Sequence, residues 1–137
     1  MTSRFLDTDI LLYSITGNPA DVAKRDRATA VIDEKDNALS VQVLQEFYVQ
    51  ATRSTRRDAV SHETAAELIR TWLRFPVQDI TVAIMSEALH IKVSHQLSYW
   101  DAAIVAAARA LGCREIYSED MSHGRDIEGT VIVNPFL

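Results

Sequence analysis

Apolar positions along the chain switch between short continuous runs and helical spacings. Phe5-Leu6 is a brief apolar run that ends in a carboxylate, Asp7, and a second run, Ile10-Leu11-Leu12-Tyr13, starts three residues later. This predicts a buried strand followed by a short helix over residues 10–15, with Asp9 starting that helix and Gly17-Asn18-Pro19 closing it. Residues 21–34 fit an amphipathic helix loosely, and Ala38-Leu39-Ser40-Val41 reads as a strand. In residues 42–53, Leu44, Phe47, Tyr48 and Ala51 fall at i, i+3, i+4 and i+7, a core-facing helical stripe. A further helix opens at Ser61-His62-Glu63-Thr64 and stops by Pro76; an edge strand is predicted over 77–80 and a helix over 82–93. Residues 100–111 are apolar almost all round, which predicts a buried helix, with Gly112 as its terminator. Strands are predicted over 115–118 and 130–133, with a loop from 119 to 129. Strands that alternate with helices imply a mostly parallel sheet of four to five strands in a three-layer α/β/α domain. No repeat, low-complexity stretch or linker divides the chain, so residues 1–137 are read as one domain.

Composition narrows this picture. A length of 137 residues with 47% apolar and 24% charged positions suits one ordinary globular core. No apolar stretch approaches the about 20 residues needed to span a bilayer. The start, Met1-Thr2-Ser3-Arg4, lacks the apolar segment of a signal peptide. A lone cysteine, Cys113, excludes an internal disulfide and fits a reducing compartment, so cytoplasmic residence is expected. The net charge of −5 argues against binding nucleic acid by bulk positive charge. Setting aside Asp7, Glu46, Asp101 and Asp120, the remaining 15 of the 19 acids nearly balance 14 Lys plus Arg. The acidic excess thus lies mostly in those four residues.

Their positions explain why they stand apart. Asp7 ends the first strand, and Glu46 lies early in the helix after the second. Asp101 is in the first turn of the buried helix, which feeds a parallel strand and so begins at the carboxyl edge of the sheet. Asp120 follows the end of the 115–118 strand. All four project toward the rim where open α/β sheets bind ligands. Bare carboxylates brought together repel one another, and a hard cation relieves the repulsion. Magnesium and manganese prefer oxygen ligands, and no His or Cys set suggests zinc. Taken singly, each acid has an ordinary explanation. Asp7 or Asp9 suits a helix N-cap, Ser98-Tyr99-Trp100-Asp101 matches a capping box, Glu46 a solvated helix position and Asp120 a loop. Only their joint placement points to a metal site.

In order and spacing these segments resemble a known family. Phe5-Leu6-Asp7-Thr8-Asp9, Val43-Leu44-Gln45-Glu46-Phe47-Tyr48, Tyr99-Trp100-Asp101-Ala102-Ala103-Ile104 and Tyr117-Ser118-Glu119-Asp120-Met121 resemble the four acidic motifs of PIN-domain nucleases. Within that family the chain is most similar to VapC-type toxins of toxin–antitoxin pairs, and the resemblance runs from Arg4 to Phe136. Asp9 departs from the pattern, because the family usually has Asn or Ser there. The resemblance implies an endoribonuclease dependent on magnesium or manganese, with Asp7, Glu46, Asp101 and Asp120 as catalytic metal ligands. It implies that Thr8, Ser118 and Asp9 support the ligands, and that Arg53, Arg56 and Arg57 are candidates for the RNA backbone or else plain helix-end charges. It also implies an RNA substrate, a small cognate antitoxin and a homodimer. Trp72, Leu73 and Phe75 are candidates for a protein-binding surface or for core, and His123 for a neighbour of the site or a structural loop residue.

Two rival readings remain open. Asp7-Thr8-Asp9 also fits the Asp-x-Asp signature of haloacid-dehalogenase-like phosphatases, with Asp7 as nucleophile. That family wants Thr or Val where Leu11 stands, and a lysine ahead of a late acidic pair that Glu119-Asp120 lacks nearby. The other rival is a PIN-like scaffold that binds RNA or a partner without cutting.

Overall fold

A computed structural model of the chain describes residues 4–137. In chain order, β1 (Arg4–Leu6) leads to α1 (Thr8–Ser14), a 3-10 turn (Pro19–Asp21), α2 (Val22–Ile32), β2 (Asn37–Ser40), α3 (Val41–Ala51) and α4 (His62–Trp72). Then follow β3 (Val77–Gln78), α5 (Val82–His95), α6 (Tyr99–Ala110), β4 (Glu115–Tyr117), β5 (Asp126–Ile127) and β6 (Thr130–Val133). The strands form one sheet in the order β3-β2-β1-β4-β6-β5, all parallel except β5. On one side of this order α1 packs against α2 and α3, and α3 against α4. A second group is formed by α5 against α6, and α6 lies on β2, β3, β4 and β6. The result is the expected three-layer α/β/α sandwich. Among the described residues no helix is long and apolar enough to cross a membrane.

The core follows from the patterns above. Phe5, Leu6, Ile10, Leu11, Leu39, Phe47, Ile116 and Ile132 are fully buried or nearly so, and every residue of α6 from Ala102 to Ala108 is buried. Small alanines on α6 let it lie close between the sheet and α5, because a helix approaches its neighbours more nearly when its side chains are short. Trp72 and Phe75 belong to the core, with the Trp72 ring edge-on to Phe47 at 4.8 Å, while Leu73 is exposed. Cys113 is buried, and His123 accepts the Asn134 N–H at its Nδ1 (3.0 Å), a loop-fixing role.

Two features differ from the sequence reading. The sheet has six strands rather than four to five, because residues 126 and 127 pair antiparallel with β6 inside the segment read as a loop. Glu128 and Gly129 both have positive φ (51° and 96°) and close a two-residue hairpin, the backbone shape such a tight turn needs. Helix α1 also starts earlier, at Thr8, because Asp7 rather than Asp9 is its cap.

Candidate metal centre

The first acid sits where two backbone ladders end. The Asp7 N–H donates to Tyr117 O (3.0 Å), one step past the paired residues Leu6 and Tyr117, and the Ser118 N–H donates to Val133 O (3.0 Å). Asp7 and Ser118 therefore stand side by side at the carboxyl ends of β1 and β4. This is the point where the strand order reverses direction, since β2 continues on one side of β1 and β4 on the other. The Asp7 side chain is almost wholly buried. Its Oδ1 accepts the Thr8 N–H (2.7 Å) and its Oδ2 accepts the Ser118 hydroxyl (2.8 Å). Asp7 thus caps α1 and is aimed by Ser118 at the same time. Ser118 Oγ in turn accepts the Asp120 and Met121 N–H groups, both at 3.2 Å, which folds the loop after β4 back toward Asp7.

The other acids arrive from three further elements. Ser40 ends β2 and caps α3 by accepting the Val43 N–H, which brings Glu46 round to the pocket in the second turn. Thr8 Oγ1 donates to Glu46 Oε1 at 2.9 Å and fixes its orientation. Ser98 caps α6 by accepting the Asp101 N–H (3.1 Å), so Asp101 stands in the first turn as the capping pattern predicted. Gln42 Nε2 reaches Trp100 O (3.3 Å) and ties the start of α6 to that of α3. Asp7, Thr8, Asp9, Glu46, Asp101 and Asp120 all line one cavity of about 140 Å³, together with Gln50 and Trp100.

Asp9 is not a cap. Its Oδ2 accepts the N–H groups of Glu119 (2.8 Å) and Asp120 (3.2 Å), so it fastens the loop that carries Asp120. Its Oδ1 is buried and has no hydrogen-bond partner. A buried carboxylate oxygen without a donor is costly, and Asp9 is among the residues that line the acid pocket.

The electrostatics tie all five acids together. Burial, with added repulsion from Glu46 and Asp101, pushes Asp7 up to about 6 against the donors Ser118 and Thr8. Burial and then Asp7 push Asp9 up to about 8, with Asp120 adding to the effect. Asp101 is also raised, by burial first and Asp120 next. In the absence of a cation the pocket holds more negative charge than its surroundings stabilise.

Among the described residues, no three Asp, Glu, His or Cys side chains converge closely enough to chelate a single ion. The donor set nevertheless fits a small hard cation. Magnesium keeps several of its waters and takes only one or two carboxylates directly, with substrate phosphate completing the shell. The unpartnered Asp9 Oδ1 and the mutually repelling carboxylates are what such an ion would compensate. Asp7, Glu46, Asp101 and Asp120 are the residues that would hold it, directly or through water. No lysine reaches Asp7 or Asp9 among the described residues. The phosphatase reading needs one, and the nearest late-acid partner, Lys24, is bound to Glu119 and Tyr13 instead.

The three candidate arginines separate. Arg56 and Arg57 line a cavity beyond the acid pocket, whereas Arg53 is exposed and lines none of the cavities described here. Gln50 and Trp100 are pocket residues that the sequence reading did not single out. Gln50 is one helical turn from Glu46, and Trp100 adjoins Asp101, so each was within reach of a spacing argument once those acids were chosen.

Comparison with known proteins agrees with this geometry. Among curated protein sequences none matches the chain significantly. In solved structures, a toxin–antitoxin complex from Klebsiella pneumoniae is similar at a TM-score of 0.72 and 20% identity, covering 97% of this chain and 98% of that one. VapC20 from Mycobacterium tuberculosis, described as a Sarcin-Ricin loop cleaving toxin, is similar at a TM-score of 0.67 and 27% identity, over 86% and 90% of the two chains. DNA-bound VapBC from Salmonella typhimurium gives a TM-score of 0.66 and 18% identity, over 96% and 97%. The sequence profile of the PIN domain matches residues 4–125, nearly all of the fold that builds the acid pocket, and the chain belongs to the PIN domain family.

Proposed function

We propose that this chain is an endoribonuclease that depends on magnesium or manganese and acts as the toxin of a toxin–antitoxin pair. The observation that carries the reading is the cavity itself: four acids from four separate elements, with Asp9 beside them, share one pocket at the switch point of a parallel sheet. When bound there, a divalent ion would lower the pKa of the attacking water and neutralise charge on the scissile phosphate. The chain's own residues prepare that site. Ser118 and the Thr8 N–H hold Asp7, the Thr8 hydroxyl holds Glu46, and Asp9 holds the loop bearing Asp120. Asp101 completes the ring from the start of α6.

The likeness to VapC20, a Sarcin-Ricin loop cleaving toxin, and to a toxin–antitoxin complex supports an RNA substrate and an antitoxin partner, and we assign the acidic groove as the place where a small antitoxin docks. We also assign a homodimer, acting in the cytoplasm. Helix α5 is apolar on two faces: Ala88 and Ile91 enter the core, while Val82, Met85, Leu89 and Val93 form an exposed stripe at i, i+3, i+7 and i+11. A stripe of this kind is a natural contact for a second copy.

The nuclease reading is tested by incubating purified protein with total RNA and manganese, with and without chelator, beside Asp101→Asn. Cleavage that needs both the metal and Asp101 is the expected result. Cleavage that persists in chelator would reject the mechanism.

A further inference from the structure

The acid pocket is not isolated. A second cavity of about 240 Å³ shares Asp9, Leu12 and Asp120 with it. A third, of about 550 Å³, shares Thr16, Asp21 and Arg56 with the second. Asp9, Leu12 and Tyr13 lie on one face of α1 at i, i+3 and i+4, and Thr16 follows just past its C-cap, so this face and the chain leaving it line the adjoining cavities.

Arg56 stands where the second and third cavities meet. Its Nε donates to Asp58 Oδ1 at 2.8 Å, and its side chain is only 22% exposed. The other Asp58 oxygen accepts the Gly17 N–H (2.7 Å) and the Thr16 hydroxyl (3.3 Å). The guanidinium is therefore fixed against the end of α1. Arg–carboxylate pairs are frequently bidentate. Here only Nε is used, and the two terminal amino groups bond no described residue. Arg57 lines the outer cavity and forms no ion pair among the described residues. Of the acids nearby, Asp58 is matched by Arg56, and Glu119 by Lys24 and Tyr13, while Asp21 and the two acids shared with the metal pocket, Asp9 and Asp120, pair with no cation among the described residues.

We propose that Arg56, held in place by Asp58 and followed by Arg57, is a backbone-phosphate subsite for single-stranded RNA, reached from the acid pocket along α1. The subsite rests on the nuclease reading of that pocket and adds the direction in which the substrate leaves it. A pre-oriented guanidinium with free donors suits a phosphate, and contacts of this kind position the strand without reading its sequence. Arg53 takes no part.

The test is anisotropy of a labelled single-stranded RNA oligonucleotide bound to full-length Asp101→Asn protein in magnesium, over a range of salt concentrations. Arg56→Ala is expected to weaken binding about tenfold and to reduce the slope of log affinity against log salt by about 0.7, the loss of one phosphate contact. Arg56→Lys keeps most of the slope. Arg57→Ala removes no protein contact, so it tests the same slope without disturbing the fold, and Arg70→Ala on α4 changes neither quantity. If the Arg56 and Arg57 variants both keep the parent affinity and slope, the subsite is overturned. Metal-dependent cutting by the unsubstituted chain, assayed in parallel, reports on the nuclease reading separately; cutting with unchanged slopes overturns the subsite alone.

Discussion

Asp9 has two opposed effects within one residue. Its Oδ2 organises the loop carrying Asp120, while its Oδ1 is buried without a donor in a pocket that is already negative. Asparagine, the commoner residue there in the family that the opening motif resembles, would keep one acceptor oxygen and remove the charge. The sign of the consequence follows from the shift. The folded pKa of about 8 lies above the ordinary 3.8, so across that window the folded chain holds a proton that the unfolded chain has released. The contribution of Asp9 to the stability of the metal-free protein is therefore full below about pH 4 and is lost as pH rises toward about 8. Asp9→Asn is expected to flatten this profile and to raise the melting temperature in chelator at about pH 8 by about 5 °C. Melting curves across pH check it, and an unchanged profile in Asp9→Asn would assign the charge strain elsewhere. With manganese present this gain is expected to shrink, because a bound cation offsets the extra carboxylate.

Among the elements, the β5–β6 hairpin depends most on a single backbone conformation. Gly129 has φ of 96° and nothing within 4 Å of an added Cβ, so Gly129→Ala meets conformational strain alone. The expected cost is about 1 kcal/mol in urea denaturation, with the cleavage site untouched because β5 is the far edge of the sheet. The same hairpin shows where sequence reasoning reached its limit. Tight two-residue turns announce themselves by Asn-Gly or Asp-Gly, and here the first position is Glu128, which favours no such turn by itself. Its carboxylate is instead gripped by His95 (2.8 Å) and lies near His90, contacts between segments about 30 residues apart that no local pattern reveals. By contrast, the buried helix α6 was legible from its unbroken apolar run, and the parallel order from strand–helix alternation. The four acids were legible as a set because that topology sends each of their elements to one rim. For Asp9 the sequence left helix cap and support for the metal ligands both open, since a carboxylate at a helix start looks the same whether it serves its own helix or a loop 110 residues away.

For the whole molecule, the sheet's reversal at β1 and β4 fixes where chemistry is possible, and the helices decide what may approach it. The exposed stripe on α5 lies on a helix that contributes no residue to the acid pocket, and its Val82 and Met85 share a neighbouring cavity with Trp100 of that pocket. Leu89→Glu is expected to shift the protein from dimer to monomer in light scattering at micromolar concentration, with the fold retained because Leu89 is 52% exposed. A monomer in the unsubstituted protein would remove the dimer assignment without touching the nuclease. The account as a whole stands on the acid pocket, and its most direct test is calorimetric titration of manganese into the unsubstituted chain and into Asp7→Asn. Saturable binding that is lost or weakened at least about tenfold by Asp7→Asn is the predicted result. No saturable binding, or binding unchanged by that substitution, would contradict the claim that these carboxylates form one cation site.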